Sequence, residues 1–132
     1  MSSDAQAVVE LTTENFVQSI NDQPLAIVDF WAPWCAPCRA FAPVFTAAAQ
    51  KHPDALFAKL NTEEHPGVAA HFYIRSIPTL MVFRDNIIVY AEAGALPAAA
   101  LDEVIGAARS LDMAEVRRQI EAQEAASPPA TA

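Results

Sequence analysis

The sequence predicts an α/β domain built on a central mixed sheet of about five strands flanked by helices. Three observations carry that prediction. Strand-like and helix-like segments alternate in the order β-α-β-α-β-α-β-β-α. The segment Leu25 to Trp31 is apolar at both alternating sets of positions, as a strand covered on both faces must be. Two later strand segments are separated only by Asp85-Asn86, a loop short enough for a tight antiparallel hairpin.

Each element has its local reason. Val8 to Leu11 reads as a short strand. Thr12-Thr13-Glu14 can cap a helix running to about Ile20, with Phe16, Val17 and Ile20 as its apolar stripe. Asn21-Asp22-Gln23-Pro24 is a turn before the buried strand Leu25 to Trp31. A helix follows from about Cys35 to Lys51, Ala-rich and with Phe41, Val44, Phe45 and Ala48 at helical spacing. Pro43 lies inside it, where it removes one backbone hydrogen bond and is expected to bend the helix near Arg39.

Leu56 to Asn61 is a strand and Pro66 to Phe72 a short helix. Thr79 to Arg84 and Ile87 to Ala93 form the hairpin. Pro97 to Arg109 is helical with Leu101, Val104 and Ile105 inward. Asp112 opens a further helix, with Glu115 as its capping-box partner and Met113, Val116 and Ile120 as a thin stripe. Ser127-Pro128-Pro129 ends it, and the tail to Ala132 is read as disordered. The chain therefore divides into a domain over 1–110, an additional helix over 111–126 and a tail over 127–132.

Bulk properties exclude several functions. The chain of 132 residues, 53% of them hydrophobic, can bury a core. A net charge of −8 without a Lys/Arg cluster excludes nucleic acid and anionic membrane surfaces as partners. The apolar stretch Leu25 to Ala32 is too short to span a bilayer. The start Met1-Ser2-Ser3-Asp4 has neither a charged nor an apolar signal region, so the expected location is the cytosol. Two cysteines are too few for a disulfide scaffold, and in a reducing compartment a close pair points to redox chemistry or metal.

Those cysteines sit in Trp31-Ala32-Pro33-Trp34-Cys35-Ala36-Pro37-Cys38-Arg39, where the buried strand ends and a helix begins. A helix N-terminus carries unpaired N–H groups and the positive end of the macrodipole, so it favours an anion. Cys35 at the first turn is the cysteine whose thiolate gains, with a pKa below the free thiol's ~8.5. Cys38 is placed to close a small disulfide ring with it. The pattern predicts Cys35 as the exposed attacking thiolate and Cys38 as the more buried resolving thiol. Pro37 stiffens the ring, and Trp34 offers an apolar flank to a substrate chain. Two other readings stand beside this one: buried structural cysteines, or half of a zinc site completed by His65 and His71.

Asp29 interrupts the buried strand. A buried carboxylate is costly without a partner or a task, and desolvation raises its pKa toward that of a proton carrier for Cys38. The competing reading is a half-exposed strand end. Lys59 is the one cation in mid-strand: either the ion partner of Asp29 or a lysine at a sheet edge. Pro78 begins a strand, and its isomer is not legible from the sequence. His52, His65 and His71 show no catalytic spacing and are assigned to the surface, as is the pair Arg117-Arg118.

The stretch Val28 to Arg39 resembles the active-site segment of thioredoxins. Ala42-Pro43, Lys59-Leu60-Asn61, Arg75-Ser76-Ile77-Pro78-Thr79 and Gly94-Ala95 fall where that family's other signatures fall. The likeness runs from about Val8 to Arg109. Within the family it is most similar to the thioredoxin-2 type, given Trp31-Ala32-Pro33-Trp34, Phe41-Ala42-Pro43 and Asn61-Thr62-Glu63, without that type's zinc-binding N-terminus.

The resemblance implies the thioredoxin fold and a protein-disulfide reductase recharged by an NADPH-dependent flavoprotein, thioredoxin reductase. Its cofactor is none beyond the Cys35–Cys38 disulfide, it holds no metal, and it acts on disulfide-containing proteins as a monomer. It implies catalytic roles for Cys35, Cys38, Asp29 and Lys59. It makes Pro78 a cis-proline facing the disulfide, with Trp34, Ile77 and Gly94 lining the docking surface. Trp31, Ala36, Pro37 and Pro43 are structural or tuning positions.

Ala36 replaces the family's usual glycine between the cysteines, Asp85-Asn86 replaces its Asn-Gly hairpin, and the helix after Asp112 is extra. That helix motivates an alternative function, a non-catalytic interaction or chaperone-like subunit. An oxidant or isomerase is a further enzyme reading, requiring an oxidising compartment.

Overall fold

The computed structural model describes residues 7–126. The predicted order of elements is present: β1 (Val8–Leu11), α1 (Phe16–Asn21), β2 (Leu25–Trp31), α2 (Ala36–Lys51), β3 (Leu56–Asn61), α3 (Pro66–His71), β4 (Thr79–Arg84), β5 (Ile87–Ala93), α4 (Ala98–Ser110) and α5 (Met113–Ala126). The strands form one sheet in the order β1-β3-β2-β4-β5. β3 runs parallel to both β1 and β2, while β4 runs antiparallel to β2 and β5. The expected tail lies outside the described residues.

The two-sided apolarity of β2 has a direct cause. Leu25 and Ile27 face Phe41 and Phe45 of α2 and Leu101 and Ile105 of α4. Ala26, Val28 and Phe30 face Phe16 and Ile20 of α1 and Val68 of α3. Successive strand residues alternate faces, so helices on both sides demand apolar residues at every position. On the α1/α3 face the rings of Phe16, Phe30, Phe72 and Phe83 meet at centroid distances of 5.4 to 6.4 Å. Such tilted and edge contacts add to the area they bury.

Some boundaries differ from the sequence reading. α1 starts at Phe16, but Thr12 still organises its entry: Thr12 Oγ1 accepts the Asn15 N–H at 3.1 Å and Asn15 Oδ1 accepts the Thr12 N–H at 2.7 Å. This reciprocal box sits one turn before the helix proper. Cys35 is the N-cap of α2, not its first residue, and Pro37 occupies the first turn, where a missing N–H costs nothing. α2 continues through the exposed Pro43.

α3 ends at His71 in a Schellman turn: the Tyr73 N–H reaches the Ala70 carbonyl and the Ile74 N–H the Ala69 carbonyl, each at 3.0 Å. Tyr73 sits at the left-handed position, φ 56°. Asp85 and Asn86 both have positive φ, 52° and 68°, as a type I′ hairpin turn requires.

Arg84 of β4 donates to the Ala108 and Arg109 carbonyls at the C-terminus of α4, at 2.6 and 3.1 Å. Asp112 caps α5 through the N–H groups of Ala114 and Glu115. The reciprocal half of the expected capping box is absent, because the Glu115 carboxylate turns to Arg118 and Gln119. Met113 is buried, and Arg117 reaches Asp85 of the hairpin at 3.5 Å. The extra helix is thus tied to the β4–β5 turn, and of the Arg117-Arg118 pair only Arg118 is spent wholly on its own helix.

Candidate active site

β2 ends at Trp31, and the chain turns through Ala32-Pro33-Trp34 into α2. The Cys35 N–H donates to the Ala32 carbonyl at 3.2 Å, and Arg39 Nη1 reaches back to the Pro33 carbonyl at 2.9 Å. Thr62, just beyond β3, donates from both its N–H and its Oγ1 to the Trp31 carbonyl, at 2.9 and 3.1 Å. The strand-to-helix corner is therefore pinned on both sides.

Cys35 and Cys38 form a disulfide, with Cα atoms 5.2 Å apart. As N-cap, Cys35 Sγ accepts the Cys38 N–H at 3.2 Å. A side-chain acceptor at this position satisfies one of the helix's orphan donors, and a thiolate there gains from the macrodipole as well. No acidic residue in the first turn of α2 opposes that charge. Ala36 and Pro37 stand exposed between the cysteines.

A second segment closes over the sulfurs. The Ile77-Pro78 peptide bond is cis, and the Ile77 carbonyl oxygen lies 3.7 Å from Cys35 Sγ. Thr79 Oγ1 donates to the Ser76 carbonyl at 2.6 Å, and the Gly94 N–H to the Pro78 carbonyl at 2.8 Å. Gly94 has φ 110°, which a side chain disfavours. Ile77 packs with Trp31 against Ala32, Cys35 and Cys38. Trp34 stands 65% exposed beside them, its Nε1–H donating to Glu63 Oε2 at 2.9 Å.

Asp29 is buried, at 4% exposure, on the sheet face covered by α2. Its Oδ1 has no hydrogen-bond partner. Burial pushes its pKa from 3.8 to about 7, with the positive charge of Lys59 pulling part of the way back.

The structure corrects several sequence expectations. Asp29 is not a half-exposed strand end. Lys59 is its register neighbour on β3 but not its ion partner: the Lys59 Nζ pairs with Glu10 Oε2 at 3.6 Å and sits 4.9 Å above the Trp31 ring. Nor is Lys59 at a sheet edge, since β1 lies outside β3. Cys35 is hardly exposed, at 4% against 2% for Cys38, because the Ile77-Pro78 segment covers it.

The histidines also differ from a bare surface assignment. His52 is held between Asp102 and Arg109 and stacks on Phe57, and His65 Nδ1 meets Thr13 at 3.1 Å. Among the described residues no cluster of three or more His, Cys, Asp or Glu side chains could hold a metal.

Sequence reasoning missed Glu10, Glu63 and Thr62, polar residues in unremarkable contexts. Thr62 and Glu63 left a trace, as part of the Asn61-Thr62-Glu63 segment; Glu10 left none.

A mixed sheet between helix layers, with a two-cysteine disulfide capping a helix beside a cis-proline, defines a thiol–disulfide oxidoreductase. The family model for Thioredoxin matches residues 7–107. The Streptomyces coelicolor protein "Putative thioredoxin 2" is 51% identical over 119 residues, covering 90% of this chain and 89% of its own. Thioredoxin 1 of Synechococcus elongatus is 46% identical over 89 residues, covering 66% of this chain and 83% of its own. The solved structure of an N21Q mutant thioredoxin from Halobacterium salinarum superposes with a TM-score of 0.74 at 28% identity, over 84% of this chain and 96% of that one. The chain belongs to the thioredoxin family. It is a protein-disulfide reductase whose redox pair is Cys35–Cys38.

Proposed function

We propose that Cys35 is the nucleophile and Cys38 the resolving thiol of a general dithiol reductase. The observation that carries this assignment is Cys35 Sγ as the cap of α2, accepting the Cys38 N–H at 3.2 Å. In the dithiol form the Cys35 thiolate attacks one sulfur of a substrate disulfide. The mixed disulfide forms, and the other substrate sulfur leaves as a thiolate. Asp29 then takes the Cys38 proton. The Cys38 thiolate attacks Cys35 Sγ, restoring the Cys35–Cys38 disulfide and releasing the second substrate thiolate. Two electrons pass to the substrate, and its thiolates take up two protons.

The charge of Lys59 tempers the carboxyl of Asp29. Trp34, Ile77, Pro78 and Gly94 form the docking surface, with the Ile77 backbone open to an extended substrate chain. Trp31 and Pro37 hold the corner, Pro43 shapes α2, and Ala36 tunes the potential. An NADPH-dependent thioredoxin reductase returns the protein to its dithiol form, which places it in electron transport and redox homeostasis of the cytoplasm, as a monomer. Residues 1–110 are the catalytic domain, and 111–126 an appended helix.

Insulin reduction with a reductase system tests the assignment. Cys35→Ser reduces activity to background. Cys38→Ser retains attack but accumulates mixed disulfides visible on non-reducing gels. Full turnover in Cys35→Ser would overturn it.

A further inference from the structure

Glu10, Lys59 and Asp29 stand in one row across three adjacent strands. Glu10 is opposite Lys59 in the β1–β3 ladder, and Asp29 is opposite Lys59 in the β2–β3 ladder. Register partners project to the same side of a sheet. Here that side is the α2/α4 face, because Val8, Phe57 and Ile27, each two residues earlier on the same strands, pack there. The row therefore reads carboxylate, ammonium, carboxylate, with strands about 4.8 Å apart.

One ammonium group serves two carboxyls, and the structure gives it to the outer one. Lys59 Nζ is 3.6 Å from Glu10 Oε2 and 4.9 Å from the centre of the Trp31 ring. Asp29 Oδ1 is left without a hydrogen-bond partner. The physical reason is solvation. Glu10 is largely exposed and Lys59 about one-third exposed, so their pair forms without stripping either group of water. Drawing the ammonium to Asp29 would cost desolvation, and that cost tips the balance to the outer pair while the Glu10 carboxylate is there to hold it. The Trp31 face gives the cation a further resting place on the outer path.

We infer that Glu10 is a positioning residue of the redox centre: by holding Lys59 outward over Trp31, it denies Asp29 an ion partner and keeps that carboxyl free to carry a proton. This rests on the reading of Asp29 as the proton carrier for Cys38. The other groups on this face of the sheet are consistent with it. α2 buries Phe41 and Phe45 there, with Cys38 in its first turn, and α4 buries Leu101 and Ile105. Arg39 and Lys51 of α2 are engaged by the Pro33 carbonyl and Asp102, and Arg109 of α4 by Asp54. On β4 the partner of Asp29 is Leu80, whose own partner on β5 is the exposed Glu92, two strands away. Lys59 is the one opposing charge in the row.

Carbon-13 titration of the Asp29 carboxyl in the full-length oxidised protein, with pH-dependent rates of mixed-disulfide release, tests the inference. In Glu10→Gln the freed ammonium moves toward Asp29, and the titration midpoint falls by about one pH unit. In Lys59→Met the midpoint rises. In the double variant it takes the Lys59→Met value, because Glu10 acts through the lysine. Glu10→Asp retains most of the wild-type midpoint. An unchanged or higher midpoint in Glu10→Gln would overturn the inference, as would the same fall in the Lys59→Met background, which would mean a direct field. If the midpoint falls as expected while release rates do not follow it, Asp29 is not the proton carrier, although Glu10 still governs Lys59.

Discussion

At Asp29 the fold holds a carboxyl that water would ionise fully at neutral pH, and burial pushes its pKa from 3.8 to about 7. Well below 3.8 both folded and unfolded chains carry the proton, and the group adds no pH dependence to stability. Between about 4 and 7 the unfolded chain releases the proton and the folded one keeps it, so stability falls as pH rises. Above about 7 the loss levels off, at roughly 4 kcal/mol as an upper bound. Asp29→Asn is therefore expected to be neutral near pH 4 and stabilising by roughly 2–4 kcal/mol at pH 8. Urea unfolding at pH 4, 6 and 8 checks this, and a pH-independent difference would contradict it. The interruption of an apolar run by Asp29 was legible in the sequence. The diversion of Lys59 to Glu10 was not, because residues 10, 29 and 59 meet only when β1, β3 and β2 pair.

Helix α3 shows what an element's boundary costs. Its Schellman turn needs a left-handed residue, a conformation that glycine adopts freely and a side chain pays about 1–2 kcal/mol to adopt. This chain places Tyr73 there, 82% exposed, with little packing to offset the strain. Tyr73→Gly is expected to raise stability by about 1 kcal/mol, a Tm increase of a few degrees. Calorimetry measures it, and a lower Tm would show that the tyrosine has a stabilising contact in solution. No pattern in Ala70-His71-Phe72-Tyr73 signalled the strain, since the sequence lacks the glycine that marks such turns. At α2 the placement was closer: the strand end and the Ala-rich periodicity located the helix start to within one residue. Whether Cys35 was a cap or a helical residue depended on backbone angles, and the cap is what aims the Cys38 N–H at its sulfur.

At the scale of the whole molecule, the chain carries a net charge of −8, and the exposed Trp34 of the proposed docking face is bonded to the acidic Glu63. Long-range repulsion slows encounter with acidic substrates and attraction speeds encounter with basic ones, within a Debye length of about 8 Å at physiological salt. Raising ionic strength is expected to raise kcat/KM for an acidic protein disulfide, lower it for a basic one, and leave a small neutral disulfide unchanged. Stopped-flow reduction of all three tests this, and a uniform salt response would reject charge steering.

The order of elements, the buried central strand, the hairpin and the cysteine pair at a strand-to-helix junction were determined by the sequence alone. These features depend on periodicity, turn chemistry and spacing along the chain, which are local. Only the tertiary structure decided that Cys35 lies nearly buried beneath Ile77 and Pro78, that Glu63 holds Trp34, and that the ion pair of Lys59 is with Glu10. Each joins residues far apart in the chain, and its outcome turns on burial and on competition for a partner. Those are properties of the packed sheet and of no single segment.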